Sequence, residues 1–205
     1  MISVKKWFIM AAAAMMAVMS VQGQTTDEPK NEIGVSYGLG FSLIGDGIAS
    51  AIGNGLFESL AGREWENRKE IGTFALEYYR HMNDNDRLAL GGIVTYAQMG
   101  EDVAYKGTKE GERTRHYVSV MPSVKYYWVS NKTIGLYSKA AVGAMFVFSN
   151  SKDLAKDKTD NDSKVAFMFQ ASLLGFEAGS RNARAFVELG AGEQGIIMGG
   201  LRCKF

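Results

Sequence analysis

Residues 33–43 read IGVSYGLGFSL: Ile33, Val35, Tyr37, Leu39, Phe41 and Leu43 are large and apolar, and only Gly or Ser stands between them. An unbroken period of two is the mark of a β-strand, whose successive side chains point to opposite faces. The second face is the unusual one. It carries neither bulk nor charge, and Gly inside a strand costs stability unless something must come close to the backbone. Such a strand expects an apolar surrounding on one side and a crowded space on the other.

The same alternation recurs along the chain and divides it into eight predicted strands. The second is IGTFALEYYRHM from Ile71, with Gly72, Phe74, Leu76 and Tyr78 on one face and Thr73, Ala75, Glu77 and Tyr79 on the other. NDND follows as a tight turn. In RLALGGIVTYAQM, Leu88, Leu90, Val94 and Tyr96 oppose Ala89, Gly91, Thr95 and Ala97. The fourth alternates from Tyr117 to Trp128, with Pro122 calling for a local bulge. The fifth places Leu136, Ala140, Val142, Phe146 and Phe148 opposite Tyr137, Lys139 and Ala141; the sixth starts near Val165; RAFVELGAG and GIIMGGLRCKF complete the set. Connections after the first, third and fifth strands are long (Ile44 to Lys69, Gly100 to Glu112, Ser149 to Ser163), and those after the second, fourth and sixth are short turns. In an antiparallel up-and-down sheet this leaves one end trimmed and the other decorated.

The chain ends bound the class. MISVKK followed by WFIMAAAAMMAVM is a positive segment and a short apolar core, the pattern of a secretory signal over residues 1–23, with cleavage expected after Gly23 or, alternatively, Ser20. A polar lead, 24–31, then precedes a barrel domain, 32–205. The net charge of +1 includes Lys5 and Lys6, so the exported chain is slightly acidic and no nucleic-acid partner is expected. Cys203 is the single cysteine, which excludes an internal disulfide, and no paired Cys or His spacing suggests zinc.

Two closed barrels fit eight antiparallel strands: a soluble one with a greasy interior, as in a secreted lipocalin-like binder, or a membrane one with the reverse. A soluble barrel needs Lys, Glu and Thr outside; here the non-greasy faces hold Gly, Ser and Ala with single charges. The greasy faces end in Tyr78, Tyr126, Trp128 and Phe205 near the short turns, where an interfacial aromatic girdle belongs. A strand of about 12 residues at a tilt of about 45° spans the apolar band of about 25 Å. The predicted fold is therefore all-β, an eight-stranded antiparallel up-and-down transmembrane β-barrel with long extracellular loops and short periplasmic turns.

On YVSVMPSVKYYW, LYSKAAVGA and the ending FVELGAGEQGIIMGGLRCKF, the whole mature chain resembles the outer-membrane β-barrel family common in the Bacteroidetes, relatives in shape of the OmpA and OmpX barrels. The resemblance implies an outer-membrane location in a Gram-negative bacterium, contact with outer-membrane lipid, and passage through the barrel-assembly machinery, with Phe205 as the terminal aromatic of the assembly signal. Cys203 stands where an aromatic is more usual. No activity and no cofactor are implied.

By parity, Glu77, Lys125, Lys139, Glu188 and Arg202 point inward near the short-turn end and are expected to form one ionic network, because unpaired charge in a narrow lumen is costly. The network reads as a plug or as the gate of a narrow passive pore, and the small lumen of eight strands favours the plug. His81 and His116 lack a Ser two residues away, against an envelope-lipid-modifying enzyme; His81 reads as a solvated rim residue. Asp157, Asp160 and Asp162 lack the Gly of a calcium loop. Ile48, Ile52, Leu56 and Leu60, with Phe57 alongside and Trp65 beyond, form an apolar stripe in the first long loop, which either folds over the barrel mouth or meets an extracellular protein or glycan partner. The expected function is a small non-enzymatic barrel with a structural or surface-interaction role.

Overall fold

A computed structural model of the chain describes residues 29–39, 63–82, 87–105, 108–153 and 158–205. The expected signal and Ile48, Ile52, Leu56, Phe57, Leu60 and Asp157 lie outside these. The strands are β1 (Asn31–Leu39), β2 (Arg63–His81), β3 (Leu88–Tyr105), β4 (Thr108–Ser130), β5 (Ile134–Asp153), β6 (Lys158–Gly179), β7 (Ala183–Gly192) and β8 (Ile197–Lys204). Each pairs antiparallel with its neighbour in sequence, and β8 returns to β1, so the eight strands close into a barrel.

The alternation that defines the strands also sorts them into an inside and an outside. Leu76, Val120, Val142, Val187 and Leu201 are exposed on the outer wall, whereas Glu77, Lys125, Lys139 and Arg202 are buried in the lumen. This is the reverse of a soluble barrel. The small face of β1 now has its explanation. Arg202 Nε and the Phe186 ring would lie 3.7 and 3.8 Å from a Cβ at Gly34, and a Cβ at Gly38 would collide with the Gln194 carbonyl. Above Glu32, the turn and side chains that fill the lumen pack against a strand face with only Gly34, Ser36 and Gly38 on it. The rest of the lumen is bulkier than expected, because Tyr79, Ile93, Met121 and Met168 are all buried there.

The outer wall carries aromatic and polar residues at two levels of β4, Tyr126 and Trp128 below and His116 above. The span from 126 to 116 is about 10 residues, which at about 3.3 Å each and a tilt of about 40° covers about 25 Å.

Two expectations are corrected. Most of the long connections are strand: Arg63 to Lys69 belongs to β2, Gly100 to Glu112 is the β3–β4 hairpin around residues 106–107, and Ser149 to Ser163 is the β5–β6 hairpin around 154–157. Trp65 therefore stands in β2, paired with Val103, and Asp160 and Asp162 in β6, paired with Ser151 and Ser149. Above the apolar band both faces of a strand meet water, so polar residues fill both and the period that reveals a strand disappears. Pro122 makes no bulge. The ladder keeps one register through Gly92↔Pro122 and from Val120↔Ala144 to Ser123↔Ala141, because an extended strand accepts the proline φ at the loss of one hydrogen bond.

Register shifts occur nearer the short turns at Trp128 in β4 and Leu173 in β6, and toward the long-strand end between Glu66 and Lys69, between Ile71 and Phe74, and between Val103 and Ala104. Ser138 of β5 bridges the first two: its Oγ accepts from Trp128 Nε1 at 2.9 Å and donates to the Leu173 carbonyl at 2.6 Å.

Candidate functional site: the charged lumen

Charged side chains from every strand but β3 meet across the lumen. On β5, Lys139 Nζ donates to Glu77 Oε1 of β2 at 2.7 Å and to Gln194 Oε1 at 2.8 Å, and lies 2.7 Å from Glu188 Oε2 of β7. Arg202 of β8 is the hub. Its guanidinium pairs with Glu177 of β6, and lies 3.4 Å from Glu77, 3.6 Å from Glu32 of β1 and 3.8 Å from Glu188. Lys125 of β4 pairs with Glu32 and stands 3.8 Å over the Tyr79 ring, a second source of stabilisation for a cation removed from water. The sequence-predicted residues Glu77, Lys125, Lys139, Glu188 and Arg202 thus share one set of contacts.

The set is larger than that list. Lys204 Nζ donates to Glu177 Oε1 at 2.7 Å, Arg184 Nη1 donates to the same oxygen at 2.6 Å, and Tyr127 Oη lies 3.1 Å from both Glu32 Oε2 and Glu177 Oε2. Tyr137 Oη and Ser172 Oγ each donate to Glu188 at 2.7 Å. Parity along β1, β7 and β8 could have found Glu32, Arg184 and Lys204, which share the faces of Gly34, Phe186 and Arg202. Glu177 was hidden, since the extra residue at the Leu173 bulge reverses the parity of β6 below it.

His81 is corrected from a rim residue to a buried one. It is 6 % exposed, its Nε2 is 3.3 Å from Glu32 Oε2 and its ring lies 5.5 Å from that of Tyr127. The inward parity it shares with Glu77 wins over its closeness to the turn. His116 is on the outer wall, its Nδ1 2.9 Å from Tyr96 Oη. Phe205 closes the seam, where Asn31 N donates to its carbonyl and its own N donates to the Asn31 carbonyl, each at 2.7 Å. Among the described residues no group of three or more His, Cys, Asp or Glu stands together to hold a metal ion.

Above the network, the β7–β8 turn folds into the lumen. Gly192 and Gly195 have φ of +138° and +99°, values that L side chains rarely adopt, and between them Glu193 and Gln194 are both buried. Gln194 Nε2 donates to Glu77 Oε1 at 2.9 Å, and Gln194 N to Gln170 Oε1 at 2.8 Å. Glu193 is different. Oε1 accepts from Thr95 Oγ1 at 3.0 Å and Ser119 Oγ at 2.8 Å, Oε2 has no hydrogen-bond partner, and among the described residues no cation pairs with it. Burial pushes the Glu193 carboxyl up to about 7, while the Ser119 and Thr95 hydroxyls pull it down.

Chemically, this is an arrangement of mutual neutralisation. Every network carboxylate has a cation beside it, and the hydroxyls close by are already spent as donors.

No protein-family model matches the sequence. No curated protein matches it. Among solved structures the chain is similar to Ail, the attachment invasion locus protein of Yersinia pestis, at 15% identity and a TM-score of 0.46, over 87% of this chain and 100% of that one. It is similar also to Ail in complex with the heparin analogue sucrose octasulfate, at 15% identity and a TM-score of 0.43, over 86% of this chain and 99% of that one.

Proposed function

We propose that the protein is a small, non-enzymatic outer-membrane β-barrel of the OmpA and OmpX kind, with a lumen sealed by its own side chains and a surface-interaction role at the long-strand end. The apolar outer wall between two aromatic levels supports the membrane placement. The export signal expected over residues 1–23 and the terminal Phe205 fit delivery through the barrel-assembly machinery.

The observation that carries the surface role is the uneven height of the wall. The ladder between β6 and β7 stops at Gln170↔Gly192, whereas β6 continues to Lys158 alongside β5, and β3 and β4 remain paired as far as Tyr105↔Thr108. A sheet built from β2 to β6 therefore stands above the rim formed by β7 and β8. A projecting sheet with an edge that its neighbour does not cover is suited to binding an extended segment by strand addition. The expected partner is an extracellular protein or glycan.

The test uses the barrel in lipid nanodiscs, intact and with residues 102–112 and 150–162 each replaced by a short turn, on arrays of extracellular-matrix proteins and glycans. Binding that is lost on shortening the hairpins, with circular dichroism showing a folded barrel, is the expected result. Equal binding by both forms, or none by either, overturns the surface role. Planar-bilayer recordings at neutral pH are expected to be silent; steady conductance that changes in Lys139→Ala would replace the sealed lumen with a narrow pore.

A further inference from the structure

The β7–β8 turn holds a buried carboxyl group that the ionic network does not neutralise. Glu193 faces Thr95 of β3 and Ser119 of β4, both neutral hydroxyls, and the neighbouring Gln194 bonds to Lys139 and Glu77. From β2 the inward Thr73 is also neutral, and its Oγ1 is without a hydrogen-bond partner. From β6 the turn receives only the Gln170 amide and the Phe169 carbonyl, which accepts from Glu193 N at 2.9 Å.

The two carboxyl oxygens are used unequally. Oε1 accepts two hydrogen bonds, as a carbonyl oxygen with two lone pairs does, and Oε2 is bare, which is where a proton sits in a neutral acid. An ionised carboxylate in that place would be a buried charge with half its hydrogen-bonding capacity unmet. The segment that carries it is a tight turn bounded by positive-φ glycines, Gly192 and Gly195, on either side of Glu193 and Gln194.

We infer that Glu193 is a protonation latch: as the neutral acid it holds the β7–β8 turn inside the lumen, and its ionisation leaves an unpaired buried charge that draws the turn out toward water. The inference rests on the reading of the lumen as sealed. The step is a simple acid dissociation, in which Oε2 loses its proton to water and the electron pair stays on the carboxylate.

The experiment is amide hydrogen exchange of residues 190–196 in nanodiscs at pH 6 and pH 8.5, corrected for base-catalysed intrinsic exchange, with bilayer conductance at pH 6 alongside. For the native chain, protection is expected to fall about tenfold between the two pH values, the factor for the roughly one pH unit from pH 6 to the folded-state value of about 7, above which it levels off. In Glu193→Gln, which keeps the shape and cannot ionise, protection is expected to be the same at both. Ser119→Ala removes one donor to the carboxyl, and in it the loss of protection is expected to continue to higher pH before levelling off. Protection in the native chain that does not change with pH, or that changes equally in Glu193→Gln, overturns the latch. Conductance at pH 6 instead overturns the sealed lumen.

Discussion

Replacing Lys139 by methionine keeps most of the stem and removes the ammonium group from three acceptors: Glu77 Oε1 at 2.7 Å, Glu188 Oε2 at 2.7 Å and Gln194 Oε1 at 2.8 Å. Charge-assisted hydrogen bonds are worth about 1.5–3 kcal/mol each, so a plain sum over the two carboxylate contacts gives about 3–6 kcal/mol. Some of that is recovered. Glu77 keeps the Gln194 amide and Arg202, and Glu188 keeps Tyr137 and Ser172. The expected cost is about 3–5 kcal/mol, the range for breaking a buried ion pair on one side only. Guanidinium unfolding in detergent micelles reads it. With a slope of about 4 kcal/mol per molar for a chain of this size, the midpoint falls by about 1 M at unchanged slope. The double variant Lys139→Met with Glu188→Gln should lose less than the sum of the two single losses, because it discharges both sides of the pair. A cost below about 1 kcal/mol, typical of a solvent-screened pair, would refute the reasoning by showing that water fills the lumen.

Other outcomes follow from the same geometry. Glu193 has a folded-state value of about 7 against an ordinary value of 4.5, so the folded state holds more protons than the unfolded one between those limits. Stability should therefore fall as pH rises from about 4.5 through about 7, by about 3 kcal/mol, and stay low above it, whereas Glu193→Gln should lack this component in the same titration. Gly38→Ala should lower stability by about 1–3 kcal/mol in thermal melts through overpacking against the Gln194 carbonyl, while at Gly92, where the nearest atom is the Met121 carbonyl at 3.6 Å, Ala should be near neutral. Val120→Arg on the outer wall should cost about 2–4 kcal/mol in lipid, and a change of only a few tenths would mean that this wall meets water.

Where one face of a strand is apolar and the other packed, the sequence states the fold without help: parity alone places Leu76 outside and Glu77 inside, and does so again for Val124 and Lys125. Legibility fails wherever the two faces stop differing or the count slips. Arg63 to Lys69 and Gly100 to Glu112 are strand with polar residues on both sides, so no period separates them from loop. Glu177 is lost through one bulged residue, Leu173, which shifts every position below it. Glu193 and Gln194 were invisible for another reason: a turn between strands is expected to point outward, and only the close approach of Gly38 to Gln194 reveals that this one turns in.

The network also sets an order of events. Arg202 and Lys204 stand in the last strand and Glu32 in the first, so the hub that neutralises carboxylates of β1, β2, β6 and β7 is supplied only when β8 docks. Until then the growing sheet carries Glu177 without its Arg202 and Lys204 partners, one cation too few for its four network carboxylates, and an open edge on β1. The seam from Glu32↔Lys204 to Leu39↔Ile197 is thus a check on completeness: a chain cut short of its C-terminus is left with both a gap in the wall and an excess of negative charge inside it.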